Sequence, residues 1–165
     1  MLPAILLYSG SLVGSAIAGA FLSWFFQTLW ENYLLGQATD ITGLWLSEWR
    51  SPSRTGPGQW TREDVVITRR FGRLRIENRN NPKGYEWIAY ARIHKQIYVQ
   101  GRWRSRRRGA TTSGLISLTI APQGRSMFGV FHGPDDEGRP IVGVHVLGRD
   151  KVAVAAAKGC LDVLS

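Results

Sequence analysis

The chain has 165 residues, room for one domain and a short appendage. Its formal net charge is +9, from 21 Lys and Arg against 12 Asp and Glu, and 17 of the basic residues are arginine. A single cysteine, Cys160, excludes an intramolecular disulfide and a cysteine-built metal site. The arginine excess reads either as a solvated basic surface or as a match to an anionic partner, since guanidinium pairs bidentately with phosphate and carboxylate.

Residues 1–30 hold no Asp, Glu, Lys, Arg or His. About 20 apolar residues at ~1.5 Å each cross a bilayer core, so this run is long enough to span with tilt. A cleaved signal peptide would show a basic start and a shorter apolar stretch. The expectation is an N-terminal transmembrane α-helix within an anchor over 1–34, followed by a β domain with a short tail over 35–165. Trp24, Phe25, Phe26, Trp30 and Tyr33 read as an interfacial aromatic belt. Gly10 and Gly14, and Ser11, Ser15 and Gly19, recur every four residues, the small-residue spacing that lets membrane helices approach each other. A homo-oligomer is expected from them. Basic residues follow the span and none precedes it, so the positive-inside tendency places the β domain in the cytoplasm.

From residue 41 the sequence alternates apolar and polar residues between Gly, Pro, Asn and Asp punctuation. Strands are expected at 42–50, 62–70, 72–79, 85–94, 96–105, 113–121, 126–132 and 141–149. Phe71-Gly72 and Lys95 mark very tight connections. Each segment to which faces are assigned has one apolar side: Leu74 and Ile76; Trp87, Ala89 and Ala91; Val99, Gly101 and Trp103; Gly114, Ile116 and Leu118; Met127, Gly129 and Phe131. An even number of strands around one interior argues for closure, which removes exposed edges. The expected fold is all-β, an eight-stranded antiparallel up-and-down small barrel. Closure makes the first and last strands neighbours. Gly43, Trp45, Ser47 and Trp49 then face inward beside Gly143, His145, Leu147 and Arg149, and Arg149 stacks on Trp45. A Gly-x-Trp on the first strand with an Arg ending the last resembles the lipocalin-type signature, in which these residues plug the closed end. Val142, Val144 and Val146, with Phe128 and Val130, would face outward as an apolar patch, to be covered by residues 152–161 or by a second protomer.

No catalytic constellation is present. His94, His132 and His145 lack metal-ligand spacing, and no nucleophile, zincin or phosphate-loop motif occurs. The inward polar groups recognised are Ser47, Asn78, His145 and Arg149, so neither catalysis, a metal nor a cofactor is expected. Binding is the better match. Trp49, Tyr85, Trp87 and Trp103 share the interior with His145 and several glycines. The aromatics offer stacking faces for bases and the glycines leave space; equally, the glycines permit a tight coil that the aromatics fill. "GRWRSRRRGAT" supplies Arg104, Arg106, Arg107 and Arg108 beside Arg102. Such a cluster suits a phosphorylated ligand, anionic lipid headgroups or plain solvation.

The order of parts, with "GLW" at 43–45, "GYEWIAYARI" and "IYVQGRW" within 84–103, "SGLISLTI" at 113–120, "MFGVFHG" at 127–133 and "GVHVLGR" at 143–149, resembles a known family. These are the membrane-anchored minimal β-barrel effectors of bacterial anti-phage systems that signal with cyclic oligonucleotides, described as having two transmembrane segments and a β-strand-rich domain. This chain has one apolar span where that description has two. The resemblance implies a barrel that receives a cyclic di- or oligonucleotide, self-association through the membrane segment and disruption of the bacterial inner membrane, with no DNA or RNA polymer as partner. The alternatives are a tethered lipocalin-like carrier or sensor of a small apolar ligand, and a non-binding assembly subunit of a membrane complex.

Overall fold

The computed structural model describes residues 17–30, 39–53, 56–135 and 138–162. Residues 17–30 are helical (α1). Among the described residues no helix is long and apolar enough to cross a membrane. Gly10, Ser11, Gly14 and Ser15 lie outside the described residues; Gly19 is on α1, with open space where its side chain would be.

The β domain is a closed barrel. Its strands are β1 (Gly43–Arg50), β4 (Thr61–Arg70), β5 (Arg73–Arg79), β6 (Trp87–His94), β7 (Tyr98–Ser105), β8 (Ser113–Ile120), β9 (Ser126–Pro134) and β10 (Pro140–Gly148). They close in the order β1-β10-β9-β8-β7-β6-β5-β4, with every neighbour antiparallel. Every expected strand is present, with ends within two residues. The structure adds a small ribbon of β2 (Pro52–Ser53) and β3 (Gly56–Pro57) in the longest connection. Alternation explains the agreement. Burial along β4 and β5 changes residue by residue, so one face of each strand is dictated by its apolar side chains.

The two ends of the barrel differ. At the closed end Trp45 is fully buried and donates its indole N–H to Ile41 O at 2.8 Å. The Arg149 guanidinium lies 4.1 Å from the Trp45 ring centroid and donates to Leu44 O at 3.3 Å. The expected plug is therefore in place. Ile67, Leu74, Ile76, Val99, Leu118 and Met127 fill the interior behind it. The chain enters the barrel at this end, where Thr39 bonds Gln96 O and accepts from Arg69.

The interior glycines settle one of the alternatives above. A side-chain carbon on Gly101, Gly114 or Gly129 would collide with the carbonyl oxygen of Tyr90, His132 or Ser117 on the adjoining strand. These glycines let neighbouring strands cross closely at the corners of a small barrel, and they do not open volume.

A C-terminal helix, α2 (Lys151–Asp162), packs on β10, β9 and β1. Asp150 caps it, accepting from Ala153 N at 2.8 Å. Val154 and Ala157 bury against Val146, Phe128, Leu46 and Trp60. The tail thus covers one end of the outward valine patch; Val142, towards the other end, stays half exposed.

Candidate functional site

The open end of the barrel holds a cavity of about 300 Å³. Its walls are aromatic: Trp49 from β1, Tyr85 before β6, Trp87 on β6, Trp103 on β7 and Phe131 on β9. The rings meet edge to face. Trp49 lies 5.8 Å from Tyr85 and 5.9 Å from Phe131, and Trp103 lies 6.5 Å from Phe131. Trp103 is fixed by donating its indole N–H to His132 O at 2.9 Å. This edge-to-face network stiffens the walls.

His145 forms part of the floor. It is 4% exposed, and its ring sits 5.8 Å from Trp87 and 6.3 Å from Phe131, nearly perpendicular to both. Nε2 is 2.7 Å from Ser47 Oγ across the β1–β10 seam. Burial pushes the imidazole pKa down to about 4, so the ring is neutral at ordinary pH.

A second polar group lies behind the wall: Glu63, 2% exposed on β4. Its Oε2 accepts from Asn78 Nδ2 at 2.8 Å and Asn81 Nδ2 at 2.5 Å, and its Oε1 accepts from Trp87 Nε1 at 2.9 Å. The buried Trp49 indole N–H is turned towards Glu63 without completing a hydrogen bond to it. Burial raises the Glu63 carboxyl above the usual carboxylate range, and these donors only partly offset it. Asn78 also bonds Tyr85 O at 2.7 Å and accepts from Trp87 N at 2.8 Å. Glu63 and Asn78 therefore set the positions of two of the five aromatic walls, Trp87 and Tyr85.

Arg107 lines the cavity; Lys83, outside that lining, holds its Nζ 5.9 Å from the Trp49 ring centroid. Glu86 and Asp135 also reach the rim; Asp135 is paired with Arg139 at 2.7 Å.

Of the nine ligand-site residues expected from sequence, six meet at this cavity: Trp49, Tyr85, Trp87, Trp103, Arg107 and His145. Three do not. Arg104 stands on the outer wall of β7, the side opposite Trp103. Arg106 is turned to Glu77 at 3.4 Å, and Arg108 is exposed in the following turn. Glu63 and Lys83 were absent from the expected set. Glu63 shares its inward phase with Val65 and Ile67, and reading β4 by alternation identifies it. Among the described residues no group of three His, Cys, Asp or Glu is placed to hold a metal.

No protein-family model and no curated protein matches the sequence. Among solved structures the barrel is similar to EF1p2_mFAP2b bound to DFHBI, with a TM-score of 0.55 and 12% identity over 67% of this chain and 94% of that one. It is also similar to a redesigned β-barrel, mFAP1, bound to DFHBI, with a TM-score of 0.51 and 12% identity over 66% of this chain and 94% of that one. At this identity the likeness establishes the fold: a small closed antiparallel barrel.

Proposed function

We propose that this chain is a membrane-anchored receptor and effector whose barrel binds a cyclic di- or oligonucleotide at its open end. The observation that carries the reading is a rigid aromatic cavity with Arg107 in its lining and Lys83 against the Trp49 ring. Aromatic faces stack bases irrespective of sequence, and rim cations take phosphates. The cavity volume is at the small end of the ~300–1,000 Å³ range for small-molecule sites. A base enters it while the phosphodiester ring stays at the rim, within reach of Arg107 and Lys83. The chain joins its N-terminal segment at the closed end, so the mouth opens at the end remote from the anchor, towards a soluble ligand. In this reading the apolar residues 1–30 form the anchor in a bacterial inner membrane. Ligand binding drives self-association through it, and the membrane is disrupted in anti-phage defence.

The test is titration of the full chain in micelles with cyclic di- and trinucleotides, followed by melting temperature and particle size. A ligand at a hundredfold excess over Kd stabilises by about 2.7 kcal/mol. The expected result is a rise for one or two members and growth in particle size. Arg107→Ala combined with Lys83→Ala, both at exposed positions, should weaken binding at least tenfold without lowering the melting temperature of the free protein. A folded protein that responds to no member sinks the reading. The same walls favour one competing reading, a carrier of an uncharged planar ligand. It predicts binding of an uncharged planar dye that is indifferent to Arg107 and Lys83.

A further inference from the structure

We infer that Ser47 fixes His145 as the Nδ1–H tautomer, so that the cavity floor offers a hydrogen-bond donor and selects a planar ring with an acceptor on its buried edge. The inference rests on the nucleotide reading only for the identity of that ring.

Ser47 is fully buried on β1. Among the described residues its hydroxyl has one side-chain partner, Nε2 of His145, at 2.7 Å. A buried hydroxyl left without an acceptor forfeits a hydrogen bond it would make in water. Nε2 is the acceptor within reach, so the hydroxyl donates to it and the Nε2 lone pair is occupied. In a neutral imidazole the proton then sits on Nδ1. The reverse tautomer would have Nε2–H donate to Ser47 Oγ and leave the hydroxyl proton stranded. Burial disfavours escape by protonating both nitrogens.

Nδ1 has no partner among the described residues, yet it is not sealed in the core as Trp49 Nε1 and Thr61 Oγ1 are. His145 lines the cavity, so Nδ1 is the ring nitrogen left to face it. Trp87 and Phe131 hold the ring edge-on and fix the direction of that N–H. A guest entering between the aromatic walls must present an acceptor there or leave a buried donor unmet, and sites that hydrogen-bond their guest reject analogues lacking the group. Uracil and guanine carry projecting exocyclic carbonyl oxygens where adenine carries an amine, and adenine's acceptors are only its recessed ring nitrogens. The floor therefore favours oxo-bearing bases over adenine.

Two measurements on the full chain in micelles test this. Histidine ¹⁵N spectroscopy reads the tautomer directly, with the His145 signal identified by its loss in His145→Gln. The expected pattern is a protonated Nδ1 and a bare Nε2, reverting towards the commoner Nε2–H form in Ser47→Ala. Protonated Nε2 in the unaltered protein overturns the inference whatever the ligand. Titration with cyclic di-UMP, cyclic di-GMP and cyclic di-AMP follows. An oxo-bearing member should bind at least tenfold tighter than cyclic di-AMP, and the gap should fall below threefold in Ser47→Ala. Equal affinities, or a gap unmoved by Ser47→Ala, overturn the selectivity. Protonated Nδ1 with no binding by any of these three or by the cyclic trinucleotides supports the donor floor and overturns the nucleotide reading, which separates the two failures.

Discussion

At the scale of single residues, the site is built from two buried polar groups with opposite responses to pH. Folding depresses the His145 pKa from the ordinary 6.5 to about 4. Between those values the unfolded chain holds a proton that the folded chain lacks, so stability falls as pH drops from 6.5 towards 4. At ~1.36 kcal/mol per pH unit this amounts to about 3 kcal/mol. Glu63 works the other way. Its folded pKa is raised, so lowering the pH through its range favours the folded state. The difference between proteins isolates the first effect: His145→Gln should show a flatter dependence than the unaltered protein in urea unfolding between pH 6.5 and 4.5. Parallel curves for the two proteins would refute the assignment. Glu63 was within reach of alternation through its phase with Val65 and Ile67, but its partners were not: Asn78, Asn81 and Trp87 come from sequence positions 15 to 24 residues away. His145 was legible because Gly143 and Leu147 flank it in phase.

At the scale of elements, strands and their faces were legible because each one is half apolar with period two. The rim was not, because loops have no such period. Arg104 and Arg107 are three apart in sequence, but one ends up on the outer wall and the other over the cavity. The hairpin between β4 and β5 shows a further local compromise. Its turn has two residues, and Phe71 adopts φ 50° ahead of Gly72 at φ 71°. Both positive values suit the twist of a tight hairpin, yet a bulky residue is strained there. The Phe71 side chain is 85% exposed and so contributes little packing. Phe71→Asn should therefore raise stability by about 1 kcal/mol, since Asn tolerates this region. Thermal unfolding of the two proteins checks it, and a lower melting temperature for Phe71→Asn would show that the exposed ring contributes more than the backbone strain costs.

At the scale of the whole molecule, charge is segregated. On the outer wall Arg75, Tyr90 and Arg102 line up across β5, β6 and β7, with Arg92 and Arg104 on the adjoining rows. Glu77 is the acid among them and is shared by Arg75 at 2.8 Å, Arg106 at 3.4 Å and Arg79 at 3.8 Å. In the ring of eight strands β6 stands opposite β10, the strand that α2 covers most. On the α2 side the acids are engaged: Glu48 by both Arg62 and Lys158, and Asp150 by Arg125. The arginine wall therefore adds positive field on the β5–β7 side of the barrel, and Arg107 continues it to the mouth. An anionic ligand should arrive faster than a neutral one, and its association rate should fall several-fold as salt shortens the screening length from ~10 Å at 0.1 M to ~3 Å at 1 M. Stopped-flow tryptophan fluorescence measures this directly. A rate unchanged by salt would show that the arginine wall plays no part in capture.

Closure of the sheet has one more consequence. Every barrel strand has a neighbour on both sides, so the wall presents no row of unpaired amides and carbonyls to a second copy. Polymerisation by strand addition is denied to the barrel wall. An assembly formed through that wall is joined by side chains, so its partners are chosen by shape and charge, and it comes apart without unzipping backbone.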